Sequence, residues 1–404
     1  MARFAVLSYH TSPLAQAGTG DAGGMNVYVR ELSSALARLG HEVDVYTRRD
    51  DPARRETVLV EPGLRVHHVT AGPAAPIGRD SFVDHVAQYT AGVSASLACG
   101  PRPDVIHANY WLSGLAGHRL KHEFDVPLVV TFHTLERVKA AVNSGESDHR
   151  ASQEAGIIAC ADAVLASCQV EADQVVELYG AADSRVRIVP LGVQHAFFSP
   201  GNRVQARRAL GLEPEGPLLV YVGRLQPLKG VDLALETLIA LRERRGEGRL
   251  AIIGGPSGPE GPATLAGLHR RVGAAGVIDD VLFVAPQSHQ VLSSWLRAAD
   301  LTLVPSRSES FGLVALESSA CGTPVLASNV GGLRNLVEPE VNGRRLDHRE
   351  PGGWAEEAAA MIEGDREGWS QRAAALARRY TWRAAAEELV DLVGGFAAAG
   401  LVRC

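Results

Sequence analysis

The sequence predicts an α/β protein made of two doubly wound parallel-sheet domains. Three observations carry that reading. The chain has 404 residues, too many for one ordinary core and suited to two domains. Short apolar runs alternate with amphipathic stretches from end to end, as parallel strands covered by helices require. Turn and breaker residues also cluster near the middle, over 190–202, where Pro190-Leu191-Gly192 runs on to Ser199-Pro200-Gly201-Asn202.

The elements follow in order. Residues 1–195 form the first expected domain, with strands over 3–8, 42–47, 104–108, 128–132, 163–167 and 186–190. Each is a short apolar run, too short for a helix. Helices are expected between them over 26–39, 80–98, 111–122, 152–160 and 170–179. Residues 196–380 repeat the pattern, with strands over 218–223, 250–254, 281–284, 301–304 and 324–327. Their helices are expected over 230–244, 264–274, 289–298, 312–321 and 354–363. Residues 381–404 predict a last helix that crosses back to the first domain. Two such sheets facing each other would put their strand C-termini on a shared cleft, the edge at which open α/β sheets bind ligands.

Composition narrows the class. Hydrophobic content of 46% with 21% charged residues describes a soluble globular protein. A net charge of −6 argues against nucleic acid as partner. No apolar run is long enough for a membrane span, and the first residues read as a strand rather than a secretory signal. The five cysteines, Cys99, Cys160, Cys168, Cys321 and Cys404, form no CxxC pair and no metal-like spacing. They are expected to be reduced thiols of a cytoplasmic protein, outside any disulfide framework. A homodimer is left open.

The most informative stretch for chemistry is Pro305 to Gly332. It places Glu309 just before an expected helix and Glu317 about two turns inside it, on roughly the same side. The helix start at Phe311-Gly312-Leu313 aims unpaired backbone N–H groups and a positive dipole end above the sheet edge, where phosphate binds well. One carboxylate could then reach sugar hydroxyls and the other a ribose. The plainer alternative is a buried βα unit with two solvated glutamates.

Next comes Gly223-Arg224-Leu225-Gln226-Pro227-Leu228-Lys229-Gly230. Arg224 and Lys229 converge on a strand end, a planar fork and a point charge suited to clamping a diphosphate. A solvated basic loop is the alternative. His133 ends an expected strand on the ligand edge, which favours a binding role over a purely structural one. Tyr110 sits on the same edge. The glycine-rich turn from Gly18 to Gly24 lets backbone approach a ligand closely, but matches neither a dinucleotide fingerprint nor a P-loop.

Together, the glutamate pair, the Arg224/Lys229 pair and the double α/β layout resemble the retaining glycosyltransferases of family 4, with the GT-B fold. The likeness covers essentially the whole chain. Within that family, the run from His10 to Leu32, Asn109-Tyr110-Trp111-Leu112-Ser113-Gly114, the Arg224–Lys229 segment and the run from Gly254 to Pro259 resemble the mycothiol-pathway branch. That branch transfers N-acetylglucosamine from its UDP donor to an inositol phosphate.

The resemblance implies roles residue by residue. Glu309 would bind the donor sugar's hydroxyls and Glu317 the ribose. Phe311, Gly312 and Leu313, with Arg224, Lys229 and the Gly24 loop, would hold the diphosphate. Gln287 falls where the family recognises uracil. His133 would meet the sugar near its 6-hydroxyl. His10, Asn26, Arg79, Tyr110, Thr134 and Arg150 would face the acceptor, with Arg79 standing where the branch has a lysine. No metal ligands and no cofactor beyond the UDP-sugar donor are implied.

Other classes fit less well. A sugar-binding protein without turnover would not need both carboxylates and both cations. A pyridoxal-phosphate phosphorylase of this fold needs a lysine near the C-terminus, whereas the lysines are Lys121, Lys139 and Lys229. A family 4 transferase of an antibiotic or sucrose-like pathway, with another donor and an unphosphorylated acceptor, is the nearer alternative.

Overall fold

The computed structural model describes residues 1–18, 20, 22–140, 148–258 and 260–404, with the side chains of Arg79 and residues 397–399 also outside what is described. The chain divides into two compact units. The first comprises Met1–Ala15, Gly24–Gly192 and Trp382–Cys404; the second comprises Gln16–Gly23 and Val193–Thr381.

The first unit is built on eight strands: β1 (Arg3–Leu7), β2 (Glu42–Arg48), β3 (Thr57–Glu61), β4 (Leu64–Val69), β5 (Val105–Asn109), β6 (Leu128–Thr131), β7 (Ala163–Ala166) and β8 (Val186–Ile188). Their order is β3-β4-β2-β1-β5-β6-β7-β8. Every pairing is parallel except β3 on β4. β1, β5 and β6 are apolar runs with helices on both sides of the sheet, so both of their faces are buried. The helix Trp382–Ala399 belongs to this unit, where Trp382, Ala385, Ala386 and Leu389 join the core beside Tyr28 and Leu32.

The hairpin β3/β4 was not expected from sequence. It lies at the sheet edge, where β3 offers only the short apolar run Val58–Val60 and alternates between exposed and half-buried residues from Thr57 to Val60. The expected helix over 80–98 is a 3₁₀ segment, Arg79–His85, followed by an α-helix, Val86–Cys99.

The second unit has six strands: β9 (Leu218–Val222), β10 (Arg249–Ile253), β11 (Val281–Val284), β12 (Leu301–Val304), β13 (Val325–Ser328) and β14 (Gly343–Leu346). All run parallel in the order β11-β10-β9-β12-β13-β14. The order reverses direction beside β9 and β12, the switch point at which doubly wound sheets bind ligands. β14, with Arg344 and Arg345, was hidden from sequence reading by its charge and edge position.

One cysteine expectation is corrected. Cys160 and Cys404 are joined by a disulfide across 244 residues of sequence. The cause is local to the first unit: Lys121 Nζ donates to Asp162 Oδ2 at 2.7 Å in a fully buried pair, and Val402 N donates to Asp162 Oδ1 at 2.7 Å. That anchor brings Cys404 to Cys160. Cys99 lies outside any disulfide and is exposed; Cys168 and Cys321 also lie outside any disulfide and are buried.

Candidate active site

The site residues of the second unit are placed by the ends of β9, β11 and β12. After β9 the chain passes through Gly223 and Arg224 to a short 3₁₀ turn, Pro227–Lys229, and enters the helix Val231–Arg245. Gly230 makes the join at φ +69, and a Cβ there would fall 1.9 Å from Pro305 O. Only glycine lets this loop press against the end of β12.

After β12 the loop 305–312 carries Glu309 to the helix Leu313–Ala320. Gly331 and Gly332 hold that loop from behind. Gly332 N donates to Glu309 O at 3.0 Å, and a Cβ on Gly331 (φ +46) would sit 1.8 Å from the same oxygen. The glycine pair is thus the reason that Glu309 lies where it does.

Two tight turns therefore bring opposite charges together. Lys229 Nζ lies 2.7 Å from Glu309 Oε2, and Ser306 Oγ is 3.3 Å from the same carboxylate oxygen. Both side chains are partly accessible. Beneath them Tyr221 is buried, and burial with the nearby Glu309 charge pushes its phenol well above the usual range. The Tyr221 hydroxyl donates to Arg224 O at 3.2 Å. Arg224 runs past the glycine-rich segment, where a Cβ on Gly23 would lie 3.6 Å from its Nε. Gln16 Nε2 donates to Pro286 O at 3.0 Å, so the same segment also reaches the loop after β11 that holds Gln287. Gln287 is half-buried there, with Nε2 donating to Ala285 O at 2.7 Å.

Gly312 precedes the helix Leu313–Ala320, which receives no side-chain cap, so its first-turn N–H groups point out above the sheet edge. Phe311 is buried against Tyr380, and Glu317 lies inside the helix at 4% exposure. Within this unit, then, the structure gathers Arg224, Lys229, Glu309, the helix start at Gly312-Leu313 and the loop bearing Gln287. Of the glycine-rich turn, Thr19 and Asp21 lie outside the described residues, and Gly24 opens the helix Gly24–Arg38 of the first unit.

In the first unit a second group forms at the ends of β1, β5 and β6. His133 has φ +61 and Tyr110 φ +75, conformations that side chains other than glycine rarely adopt and that cluster at functional sites. His133 Nε2 lies 3.0 Å from Asn109 Oδ1, with its ring edge-on to Tyr28. Burial, then the nearby His107 and His10, push its imidazole down to about 3, so it is neutral near pH 7. His10 stacks at a tilt on Tyr110 with ring centres 4.6 Å apart. Asn26 is buried and donates to Thr11 Oγ1 and Ser12 O, both at 2.7 Å.

Arg150 lies over the Tyr110 ring at 5.0 Å. It donates to Thr134 O at 2.8 Å and pairs with Glu154 at 2.8 Å and Glu136 at 2.9 Å. Its charge is therefore already shared by two carboxylates, which sequence reading did not foresee. The Arg79 side chain lies outside the described residues. Tyr28 was not singled out from sequence, whereas His107 and Asn109 belong to the polar strand end that carries Tyr110 and lie inside the otherwise apolar β5.

Comparison with known proteins agrees with this architecture. Residues 23–192 match the glycosyl transferase 4-like domain, and residues 202–376 match glycosyl transferases group 1. The chain is 44% identical over 404 residues to a D-inositol 3-phosphate glycosyltransferase of Xylanimonas cellulosilytica, covering 96% of each chain. Among solved structures, a sucrose-phosphate synthase from Thermosynechococcus elongatus superposes with a TM-score of 0.89 at 31% identity, over 99% of this chain and 100% of that one. The Anabaena protein HepE in complex with UDP-glucose superposes with a TM-score of 0.79 at 20% identity, over 98% and 100%, a likeness of fold. Two parallel-sheet Rossmann-like units, both family domains and full-length relatives lead to one conclusion: the chain is a glycosyltransferase of family 4, with the GT-B fold.

Proposed function

We propose that this enzyme transfers N-acetylglucosamine from a UDP donor to a hydroxyl of D-inositol 3-phosphate, with retention of anomeric configuration. The observation that carries the reading is the Lys229–Glu309 pair beside Arg224 at the strand ends of the second unit. A nucleotide sugar offers each member a new partner, diphosphate for Lys229 and a sugar hydroxyl for Glu309. Arg224 and the N–H groups at Gly312-Leu313 add to the diphosphate's neutralisation. Glu317 takes the ribose, and the loop at Gln287 the uracil.

In the chemical step the bond from sugar C1 to the β-phosphate oxygen breaks, and a bond from C1 to the acceptor oxygen forms on the same face. The acceptor's hydroxyl proton passes to the departing phosphate, which Arg224 and Lys229 hold. The barrier falls through positioning and charge neutralisation of the leaving group. Neutral His133 donates or accepts a hydrogen bond at the sugar without changing charge.

The acceptor assignment draws support from the name of the relative at 44% identity. In this reading Arg79 meets the acceptor phosphate, while His10, Asn26, Tyr110 and Thr134 orient the ring. Arg150 acts on the acceptor side by fixing Tyr110 and Thr134.

The test is a screen of UDP-, GDP- and ADP-sugars for hydrolysis by mass spectrometry, followed by the best donor with a panel of cyclitols and their phosphates. UDP-N-acetylglucosamine with inositol 3-phosphate should give the highest kcat/KM. A free cyclitol or aminocyclitol used at least as well would move the enzyme to the antibiotic or sucrose-like alternative.

A further inference from the structure

Away from the candidate active site, four side chains able to ligate a metal meet on the first unit, among them the disulfide pair Cys160 and Cys404. His118 and His122 stand one turn apart on the helix Trp111–Phe124, so both imidazoles project from one face with ring centres 5.3 Å apart. Cys160 ends the helix Asp148–Cys160. Cys404 is brought in by the tail that Asp162 anchors. His122 Nε2 lies 3.2 Å from Cys404 Sγ and 3.4 Å from Cys160 Sγ, and His118 Nε2 lies 3.5 Å from Cys404 Sγ. The four ligand atoms all lie within 4.8 Å of one another.

We propose that His118, His122, Cys160 and Cys404 form a tetrahedral site for a zinc-class divalent cation when the two sulfurs are thiolates. Zinc is held by imidazole nitrogen at about 2.0 Å and thiolate sulfur at about 2.3 Å, which puts N and S about 3.5 Å apart around a tetrahedral ion. The three nitrogen–sulfur separations here are 3.2, 3.4 and 3.5 Å. Two imidazoles and two thiolates are also the soft-to-borderline donor set that selects zinc over magnesium or calcium.

The surroundings favour such a site over a chance meeting of side chains. Lys121, between the two histidines, is buried and donates to Cys160 O and to Asp162 Oδ2, both at 2.7 Å. Asp162 Oδ2 also accepts from Leu128 N at 2.7 Å, and Asp162 Oδ1 holds Val402 N. One buried ion pair therefore fixes the histidine helix, the Cys160 backbone and the Cys404 tail to the same strand start.

Disulfide and metal are alternatives at this spot. A dithiol reductant supplies two electrons and two protons, cleaving the Cys160–Cys404 bond to two thiols. Each thiol loses its proton on binding the cation, and the sulfurs part to about 3.8 Å around it. Cys404 is exposed and has room to move; Cys160 is buried. The bound cation would tie the tail after the helix Trp382–Ala399 to the helix Trp111–Phe124, stabilising the first unit by mass action.

The test uses the full chain, reduced with a dithiol, supplied with Zn²⁺ and freed of loose metal by a weak chelator. Elemental analysis should find one zinc per chain, and X-ray absorption two sulfur and two nitrogen neighbours. The double variant His118→Asn/His122→Asn should lose at least a hundredfold in zinc affinity, and Cys404→Ser a comparable amount. Both should keep the wild-type affinity for UDP. Should a variant fail to fold, Co²⁺ titration of the reduced wild-type chain decides the matter through the thiolate charge-transfer absorption of a tetrahedral site. Reduced wild-type protein that holds no more zinc than the double variant, or whose Co²⁺ complex lacks thiolate bands, overturns the proposal.

Discussion

Lys229 Nζ sits 2.7 Å from Glu309 Oε2, joining two loops that leave different strands of one sheet. Each loop is pressed into place by a glycine that tolerates no side chain, Gly230 against Pro305 O and Gly331 against Glu309 O. In the proposed reading this pair exchanges partners with a ligand that carries both an anion and hydroxyl groups.

Removing the carboxylate charge should separate binding from turnover. Glu309→Gln should bind UDP with nearly wild-type affinity and lose about a hundredfold or more in transfer rate, because the lost hydrogen bond to the sugar matters most in the transition state. Calorimetry with UDP and steady-state kinetics measure both quantities. Wild-type turnover in this variant would remove Glu309 from the reaction.

The two cations should tell nucleotide from nucleoside. If the diphosphate alone meets them, as proposed, Arg224→Ala and Lys229→Ala should each weaken UDP markedly and leave uridine nearly unchanged. Equal losses for both ligands would point to a folding defect and against a diphosphate clamp.

The glycine behind Glu309 gives a prediction from geometry alone. Gly331→Ala puts a methyl group 1.8 Å from Glu309 O at a left-handed backbone position. The second unit should lose about 2 kcal/mol or more in chemical denaturation, and transfer should fall with it. Unchanged stability would mean that the loop can shift freely, and the rigid placement of Glu309 would fail.

Much of this was legible in the sequence. β11, β12 and the helix His289–Ala298 agree with expectation at both ends, because the strands are short, mainly apolar runs that begin after Asp280 and Asp300 and the helix has a sharp amphipathic period. The pairing of Lys229 with Glu309 was not predicted as a contact, although both residues were singled out. The hairpin β3/β4 escaped because edge strands expose every second residue. Arg150 is expected from the resemblance to face the acceptor, but its partners Glu136 and Glu154 come together with it only through the fold around Thr134. Cysteine spacing carried no signal for Cys160 and Cys404 either, since their meeting depends on Asp162 capturing a tail 240 residues away.

Acid should destabilise the first unit before most carboxylates titrate. Burial holds His107 down to about 4 and His133 to about 3, against an ordinary value of 6.5. Below pH 6.5 the unfolded chain binds protons at both positions while the folded chain does not. Stability is therefore fully present above pH 6.5 and falls as pH drops towards 4, by about 1.4 kcal/mol per pH unit for each histidine. Denaturation of wild type and His107→Gln between pH 7 and 5 checks this; the variant should show a shallower slope, the rest coming from His133 and from His41, His68 and His118, which burial also lowers. An equal slope in both would assign the acid loss elsewhere.

The acceptor side can be tested through Arg79, whose position in the sequence rather than any contact motivates it. Arg79→Ala should raise KM for inositol 3-phosphate steeply and leave donor hydrolysis untouched, and Arg79→Lys should recover the loss if charge alone matters. An unchanged acceptor KM would place the phosphate on other residues.

The proposed same-face transfer by a departing diphosphate is read directly in the product's stereochemistry. The enzyme would be mixed with UDP-N-acetylglucosamine, whose sugar is α-linked, and inositol 3-phosphate, and the fresh product followed by proton NMR. An α-linked N-acetylglucosaminyl inositol phosphate is the expected result, with its anomeric signal rising as the donor's falls. A β-linked product would contradict the proposed mechanism.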